Sequence, residues 1–192
     1  MKLPRVILAS QSPRRIELLR QITFQFEVMP SVVEEVQSEH LTARETAQLN
    51  AYRKARAVAK RFPDALVLGA DTVVELNNTL FGKPETLGEA RTMLLQLQGK
   101  THQVVTGLCL IHLRGHRQKL YAESTEVNFR RLTRLEIDRY LEKVNPLDKA
   151  GGYAIQEYGE SIVRGISGSY TNVMGLPVES LRTELASWGL ST

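Results

Sequence analysis

Cysteine and aromatic residues are scarce in this chain. Its single cysteine, Cys109, rules out an internal disulfide and lies within an apolar run, where we expect a small core residue. So little cysteine use favours the cytosol as the compartment. Aromatic residues make up only 6% of the chain and do not alternate with basic ones as in sequences that stack nucleic-acid bases. The net charge of +4 therefore points to a small anionic ligand ahead of nucleic acid.

Long apolar runs are also lacking. No stretch approaches the ~18 residues that cross a bilayer, so we expect no membrane association. The short apolar stretch near the N-terminus is interrupted by Ser12-Pro13-Arg14-Arg15 too early for a signal peptide. With 42% hydrophobic and 24% charged residues, we expect residues 1–192 to form one globular domain with a sizeable core.

Several familiar site motifs are missing. There is no Gly-x-Gly-x-x-Gly dinucleotide fingerprint and no Gly-x-Ser-x-Gly elbow. The run Gly99-Lys100-Thr101 resembles the end of a P-loop, but Leu94 stands where the first glycine must be. His112 and His116 are four residues apart, yet a turn at Gly115 separates them, which argues against a zinc site on a helix.

The N-terminal stretch predicts a strand, a tight turn and a helix. Val6–Ala9 is a short apolar run, Ser12 suits an N-cap, and Pro13 suits the first helical position. A helix N-terminus attracts anions, and arginine forms forked hydrogen bonds with phosphate. Arg14 and Arg15 in the first turn therefore indicate a phosphate site, with an ordinary capped helix and solvated arginines as the alternative.

Strand and helix patterns interleave along the rest of the chain, which predicts an α/β fold with a mixed sheet. Capping boxes are predicted at Thr42, Thr86 and Thr133, and a hairpin turn at Asn77-Asn78. The predicted strands are 24–29, 65–70, 73–76, 80–81, 102–113, 118–129 and 161–166. The predicted helices begin at these three boxes and at Pro177 and run to about 62, 97, 144 and 188. Gly165, Gly168 and Gly175 are predicted to mark turns.

Carboxylates and cations stand near the ends of these elements. Asp71 follows an apolar strand, at the edge where open α/β sheets bind ligands, and Glu34-Glu35 also follows a strand. Together they can form a hard-metal site, although each alone suits a turn cap or a solvated loop. Lys83 and Lys149 lie in turns that suit a fixed cation or an ordinary surface lysine. Phosphoryl transfer needs such parts, but the residues alone do not show whether they converge.

Motifs along nearly the whole chain resemble the Maf family of nucleoside triphosphate pyrophosphatases. The first is Leu8-Ala9-Ser10-Gln11-Ser12-Pro13-Arg14-Arg15-Ile16-Glu17-Leu18-Leu19. The others follow in order: Val33-Glu34-Glu35, Lys54-Ala55, Leu68-Gly69-Ala70-Asp71-Thr72-Val73-Val74, Gly82-Lys83-Pro84, Pro146-Leu147-Asp148-Lys149-Ala150-Gly151-Gly152-Tyr153 and Val173-Met174-Gly175-Leu176-Pro177.

The resemblance implies a fold similar to that of the inosine triphosphate pyrophosphatases, a mixed twisted sheet with flanking helices and two lobes around a central cleft. It implies cleavage between the α and β phosphates with a divalent cation (Mg, Mn or Co), and a homodimer. Asp71 would be the proton acceptor and a metal ligand, and Glu34 would assist it and share the metal. Lys83 would act with them at the phosphates. The remaining phosphate-binding residues would be Ser10, Arg14, Arg15 and Lys54.

Three positions track substrate choice in that family, here Arg14, Thr72 and Gln156. They resemble the branch that acts on dTTP and UTP, including modified pyrimidine nucleotides that such an enzyme clears from the pool, and differ from the 7-methyl-GTP branch. The family commonly has Tyr-Gly-Ile-Gln-Gly where this chain has Tyr153-Ala154-Ile155-Gln156-Glu157, which adds a negative charge beside the base-reading glutamine.

The family has also been linked to arrest of septum formation and cell division. The alternative function is therefore a non-catalytic regulator that binds nucleotides or nucleic acid.

Overall fold

The computed structural model describes residues 5–22 and 25–190, which form strands β1–β7, helices α1–α7 and a 3-10 turn at Ala150–Gly152. The strands are β1 Val6–Leu8, β2 Phe26–Val28, β3 Leu66–Leu76, β4 Thr79–Phe81, β5 Thr101–His112, β6 Arg117–Phe129 and β7 Val163–Ser167. The helices are α1 Pro13–Arg20, α2 Ala43–Ala59, α3 Leu87–Leu97, α4 Arg134–Leu141, α5 Gly159–Ile162, α6 Tyr170–Met174 and α7 Val178–Ser187.

The strands form one mixed sheet in the order β2-β1-β3-β5-β6-β7, with β4 paired to the end of β3. β1 is parallel to β2 and β3, whereas the pairs from β3 through β5 and β6 to β7 are antiparallel. This sheet with its flanking helices confirms the predicted fold class. Within the described ranges, none of the helices combines the length and apolar character needed to span a bilayer.

Most predicted boundaries lie close to the observed ones. The capping boxes that begin at Thr42 and Thr133 are both formed, although α2 and α4 end a few residues earlier than predicted. The box at Thr86 is only half formed, because the Glu89 carboxylate accepts from the Glu85 N–H instead. Asn77 and Asn78 adopt the left-handed conformation of the predicted hairpin turn.

Some predictions between residues 161 and 174 are wrong. The predicted strand 161–166 begins as helix α5 and becomes strand β7 only at Val163, because Ser161 closes a local turn on the Tyr158 carbonyl. Gly165 lies inside β7 rather than in a turn. Helix α6, which Ser169 caps, was not predicted. The predicted strand 24–29 is observed as β2, and its first residue lies outside the described residues.

The prediction that Asp71 follows the end of a strand is wrong. Asp71 lies in the middle of β3. The strand continues because its second half pairs with β5, where Asp71 lies opposite Gly107. Its partner on the other side, β1, ends at Leu8 opposite Leu68. Asp71 therefore lies beyond the carboxyl end of β1. It still borders a crevice at the sheet, as expected, but because β1 ends there and not because β3 does.

Helix α2 packs against β3 and β5 with almost no side-chain volume between the backbones. A Cβ atom at Gly69 would lie 2.3 Å from the Ala51 carbonyl oxygen, and one at Gly107 would lie 2.3 Å from the Ala47 carbonyl. The helix contributes small residues to this face, and Ala47, Ala51 and Ala55 are fully buried. This close approach brings the polar side chains of α2 down to the level of Asp71.

Two hydrophobic regions flank a cleft. One surrounds β1 and the first half of β3, where α1 and α7 cover one face of the sheet and α2 covers the other. The other joins α3 and α4 to the remaining parts of β3, β5 and β6. It contains the edge-to-face ring cluster of His102, Phe129 and Tyr153, in which His102 Nε2 and the Tyr153 hydroxyl share a hydrogen bond of 2.8 Å.

The close helix–sheet packing predicts that Gly69→Ala destabilises the protein. Its methyl group would collide with the backbone of α2, which should lower the free energy of unfolding by about 2 kcal/mol, measured by urea denaturation. Gly165→Ala is the matched control, because nothing lies within 4 Å of a Cβ at that strand position. Equal stability of the two variants would contradict the packing argument.

Burial of His102 predicts a pH dependence of stability, because it lowers the pKa of this imidazole from 6.5 to about 4. As the pH falls, the unfolded chain binds the proton first, so stability is lost between these two values. From about pH 7 to pH 5 the loss from this group is about 2 kcal/mol. His102→Asn should lose correspondingly less stability over this range in urea unfolding. If His102→Asn loses as much free energy of unfolding between pH 7 and pH 5 as the wild type, His102 is not the source of the pH dependence.

Candidate active site

All of the predicted site residues line one cleft of about 700 Å³ between the two hydrophobic regions. They come from the β1–α1 turn, the first turn of α1, the segment after β2, helix α2, strand β3, the turn after β4 and the loop around the 3-10 turn. The set is Ser10, Arg14, Arg15, Glu34, Lys54, Asp71, Thr72, Lys83 and Gln156.

The centre of the site is the buried carboxylate of Asp71, which is 3% exposed. Its Oδ1 accepts a 2.6 Å hydrogen bond from Lys54 Nζ, and its Oδ2 accepts one of 3.1 Å from Asn50 Nδ2. Asn50 and Lys54 lie four residues apart on α2 and therefore share one helix face. The lysine and the amide compensate the cost of burying the carboxylate.

Glu35 joins this centre, although the sequence analysis singled out its neighbour Glu34. Glu35 Oε1 accepts from Lys54 Nζ and from Lys83 Nζ, both at 2.8 Å. Burial raises its pKa, but the two lysines outweigh this effect and hold the pKa at about 2. The Asn50 amide also fixes this segment through hydrogen bonds to the backbone N–H and carbonyl of Val36.

Glu34 lines the same cleft but remains exposed. It forms no hydrogen bond or ion pair with any other part of the chain that the structure describes, so its carboxylate is available to a ligand. Two adjacent glutamates carry the same sequence signal, and only the backbone direction after β2 determines which one meets the lysines.

Arg15 is enclosed by the cleft wall. Its Nε donates to the Gly175 carbonyl at 2.9 Å, Nη2 to Thr72 Oγ1 at 2.9 Å, and Nη1 to Ser10 Oγ at 3.4 Å. Burial lowers the pKa of this guanidinium below its ordinary value, against the opposing influence of Asp71. The guanidinium thus connects two other predicted site residues, Ser10 and Thr72, and also binds the backbone at Gly175.

Arg14 reaches across the cleft to Asp148. Nη1 donates to the Asp148 carboxylate at 2.7 Å, and Nη2 donates to its backbone carbonyl at 3.0 Å. Burial raises the pKa of Asp148, but hydrogen bonds from Lys149 and Arg14 lower it more strongly, so its pKa is below 3.8. Asp148 belongs to a recognised motif but was given no role in the sequence analysis.

The first turn of α1 keeps its own backbone donors available. Ser12 occupies the predicted N-cap position, but its side chain forms no capping hydrogen bond. Pro13 has no N–H, and the first turn contains no acidic residue. Free N–H groups at a helix N-terminus that also carries Arg14 and Arg15 favour an anion.

The carboxylates of the cleft have the chemistry of a hard-metal site. Within residues 5–22 and 25–190, no three acidic, histidine or cysteine side chains lie close enough together to hold an ion by themselves. Mg²⁺ commonly binds one or two carboxylates and takes the remaining ligands from phosphate and water. The donor set therefore fits an ion shared with a phosphate chain.

The buried pair predicts different effects for the two lysines that contact Glu35. Lys54→Met leaves Asp71 without its cation and should lower the free energy of unfolding by about 3 kcal/mol. Lys83 is half exposed, so Lys83→Met should cost no more than about 1 kcal/mol. Both are measured by urea denaturation. The double variant Lys54→Met, Asp71→Asn should be more stable than Lys54→Met alone. If the losses of the two single variants simply add in the double variant, Lys54 and Asp71 are not a coupled pair.

Comparisons with known proteins extend over nearly the whole chain. The family model described as Maf-like protein matches residues 5–188. A protein of Syntrophus aciditrophicus (strain SB) named dTTP/UTP pyrophosphatase is 45% identical over 188 residues, covering 98% of this chain and 92% of the relative. One of the same name from Phocaeicola vulgatus is 48% identical over 185 residues, covering 94% of each chain.

Among solved structures, a HAM1 protein from Coxiella burnetii is similar with a TM-score of 0.55 and 18% identity, covering 96% of this chain and 100% of that chain. At this identity the likeness concerns the fold alone. The family model and the relatives agree with the ordered motifs, and the chain belongs to the Maf-like protein family.

Proposed function

We propose that this protein hydrolyses dTTP and UTP to the nucleoside monophosphate and pyrophosphate. The observation that carries the proposal is the buried Asp71 carboxylate, which shares a cleft with Lys54, Lys83, Arg14 and Arg15. The relatives named dTTP/UTP pyrophosphatase, 42–48% identical over 93–98% of this chain, support the choice of substrate.

The cations and the first turn of α1 would hold the phosphate chain. Lys83 and Arg14 keep part of their surface open to the cleft, and each already binds a carboxylate there. Phosphate oxygens would compete with these carboxylates as acceptors. Ser10 and Arg15 would complete the set at the helix N-terminus, where charge-assisted hydrogen bonds are strong.

Asp71 would accept the proton of the water that attacks the α-phosphorus. Each carboxylate oxygen has two acceptor positions, and the bonds from Lys54 and Asn50 use one on each oxygen. The same bonds hold the carboxylate in one orientation, which is what a positioned general base requires. Glu35 would keep Lys54 and Lys83 directed towards the phosphates.

A divalent cation would be held by Glu34 and Asp71 together with the phosphates of the substrate. Among the described residues, five cationic and four acidic side chains line the cleft, so a triphosphate brings a large excess of negative charge. The ion would offset that charge. Arg14, Thr72 and Gln156 would select the nucleotide, and the homodimer remains a prediction.

The proposal predicts that Asp71→Asn loses activity but remains folded. Pyrophosphate release from UTP with Mg²⁺ or Mn²⁺ should fall by about 10³-fold. Wild-type hydrolysis in H₂¹⁸O should place the label in UMP and leave pyrophosphate unlabelled, because water attacks the α-phosphorus. The matched control is Asp64→Asn, which removes an exposed carboxylate outside the cleft and should retain full activity.

A well-folded and fully active Asp71→Asn variant would refute the role of this carboxylate. Label in pyrophosphate would refute the position of attack. Binding of UTP without any pyrophosphate release would instead favour the non-catalytic regulator.

A further inference from the structure

A continuous chain of polar contacts crosses the cleft and ends at Gln156. Arg14 contacts Asp148 Oδ2, and Lys149 Nζ contacts Asp148 Oδ1 at 2.9 Å. The Lys149 Nζ also lies 3.4 Å from Glu157 Oε1. The same Glu157 oxygen accepts a hydrogen bond of 3.3 Å from Gln156 Nε2. Three residues with no assigned role, Asp148, Lys149 and Glu157, therefore connect two predicted specificity positions, Arg14 and Gln156.

Burial of the Lys149 ammonium favours a carboxylate beside it, and Glu157 supplies one. The Lys149 side chain is only 6% exposed, and its ammonium donates to the Asn145 carbonyl at 2.6 Å in addition to its carboxylate contacts. A buried ammonium needs compensating charge. Asp148 is already shared with Arg14, so Glu157 supplies the second carboxylate, and turning it into solvent would leave the lysine undercompensated.

The Glu157 carboxylate, whose side chain is 38% exposed, favours one orientation of the Gln156 amide. An ionised carboxylate only accepts hydrogen bonds, so it attracts the amide nitrogen and repels the amide oxygen. Nε2 therefore faces Glu157. Within the described part of the chain, Gln156 Oε1 accepts no hydrogen bond, and Gln156 lines the cleft whereas Glu157 does not. The oxygen is left as the acceptor that Gln156 offers to a bound base.

We propose that Glu157, held by Lys149, is a positioning residue that makes Gln156 present its amide oxygen to the base and so selects uracil and thymine over cytosine. The inference rests on the proposed function. Uracil and thymine carry an N3–H donor, which Oε1 can accept. Cytosine has an unprotonated N3 at that place, and this acceptor is repelled by Gln156 Oε1. CTP is penalised because neither atom then has a hydrogen-bond partner.

The test compares kcat/KM for UTP and CTP in the wild type and in Glu157→Ala, measured as pyrophosphate release. Without the carboxylate the Gln156 amide can turn over and offer Nε2 to cytosine N3. The ratio of kcat/KM for UTP to kcat/KM for CTP should fall about ten-fold, which is the equivalent of about one hydrogen bond. The kcat/KM for CTP should rise and that for UTP should fall. A variant that is merely less stable would lose activity on both nucleotides alike.

Two controls accompany this comparison. Glu160→Ala removes an exposed glutamate three residues further on, in helix α5, and should keep the wild-type ratio. N3-methyl-UTP lacks the N3–H, so the wild type should use it poorly.

Three results would overturn the inference. An unchanged ratio in Glu157→Ala, or an equal loss for UTP and CTP, would refute the orienting role while leaving the pyrophosphatase function intact. Efficient use of N3-methyl-UTP by the wild type would refute recognition of the N3–H. Absence of pyrophosphate release from UTP by the wild type would overturn the proposed function, and this inference with it.

Discussion

The buried contact between Asp71 and helix α2 is the interaction on which the site depends. A carboxylate that is 3% exposed is stable only with strong partners, and Lys54 and Asn50 provide them. They reach it because Gly69 and Gly107 let the helix approach the sheet without intervening side chains. The packing of α2 on the sheet therefore also sets the geometry of the site. A methyl group added at Gly69 or Gly107 would push α2 away and move Lys54 from Asp71.

The remaining charges of the cleft are arranged in a similar way, with cations and carboxylates satisfying each other across it. Arg14 pairs with Asp148, and Lys83 pairs with Glu35. These partly exposed pairs are weak in net free energy and can exchange their partners for a ligand. Arg15 differs, because its bonds to Gly175 and Thr72 are enclosed and belong to the wall of the cleft. The site thus combines a rigid centre with a rim that can rearrange around an anion.

The sequence predicted the elements well where local physics decides them. The capping box at Thr42 and the Asn77-Asn78 turn depend on neighbouring residues, and the structure confirms both. The boundary at residues 161–166 was wrong, because a helical turn and an edge strand compete there over a few residues. Asp71 was expected at a strand end, since its apolar run stops there, but pairing with β5 extends the strand.

The sequence by itself determined most of the elements, because caps, turns and periodicity are local properties, and its ordered motifs indicated the family and the side chains expected at the site. The tertiary structure alone decided which groups bond to which. It selected Glu35 over Glu34 and recruited Asn50 and Asp148. These choices depend on distances between segments far apart in the chain, which are set by how closely α2 packs on the sheet and how the loop around Lys149 crosses the cleft.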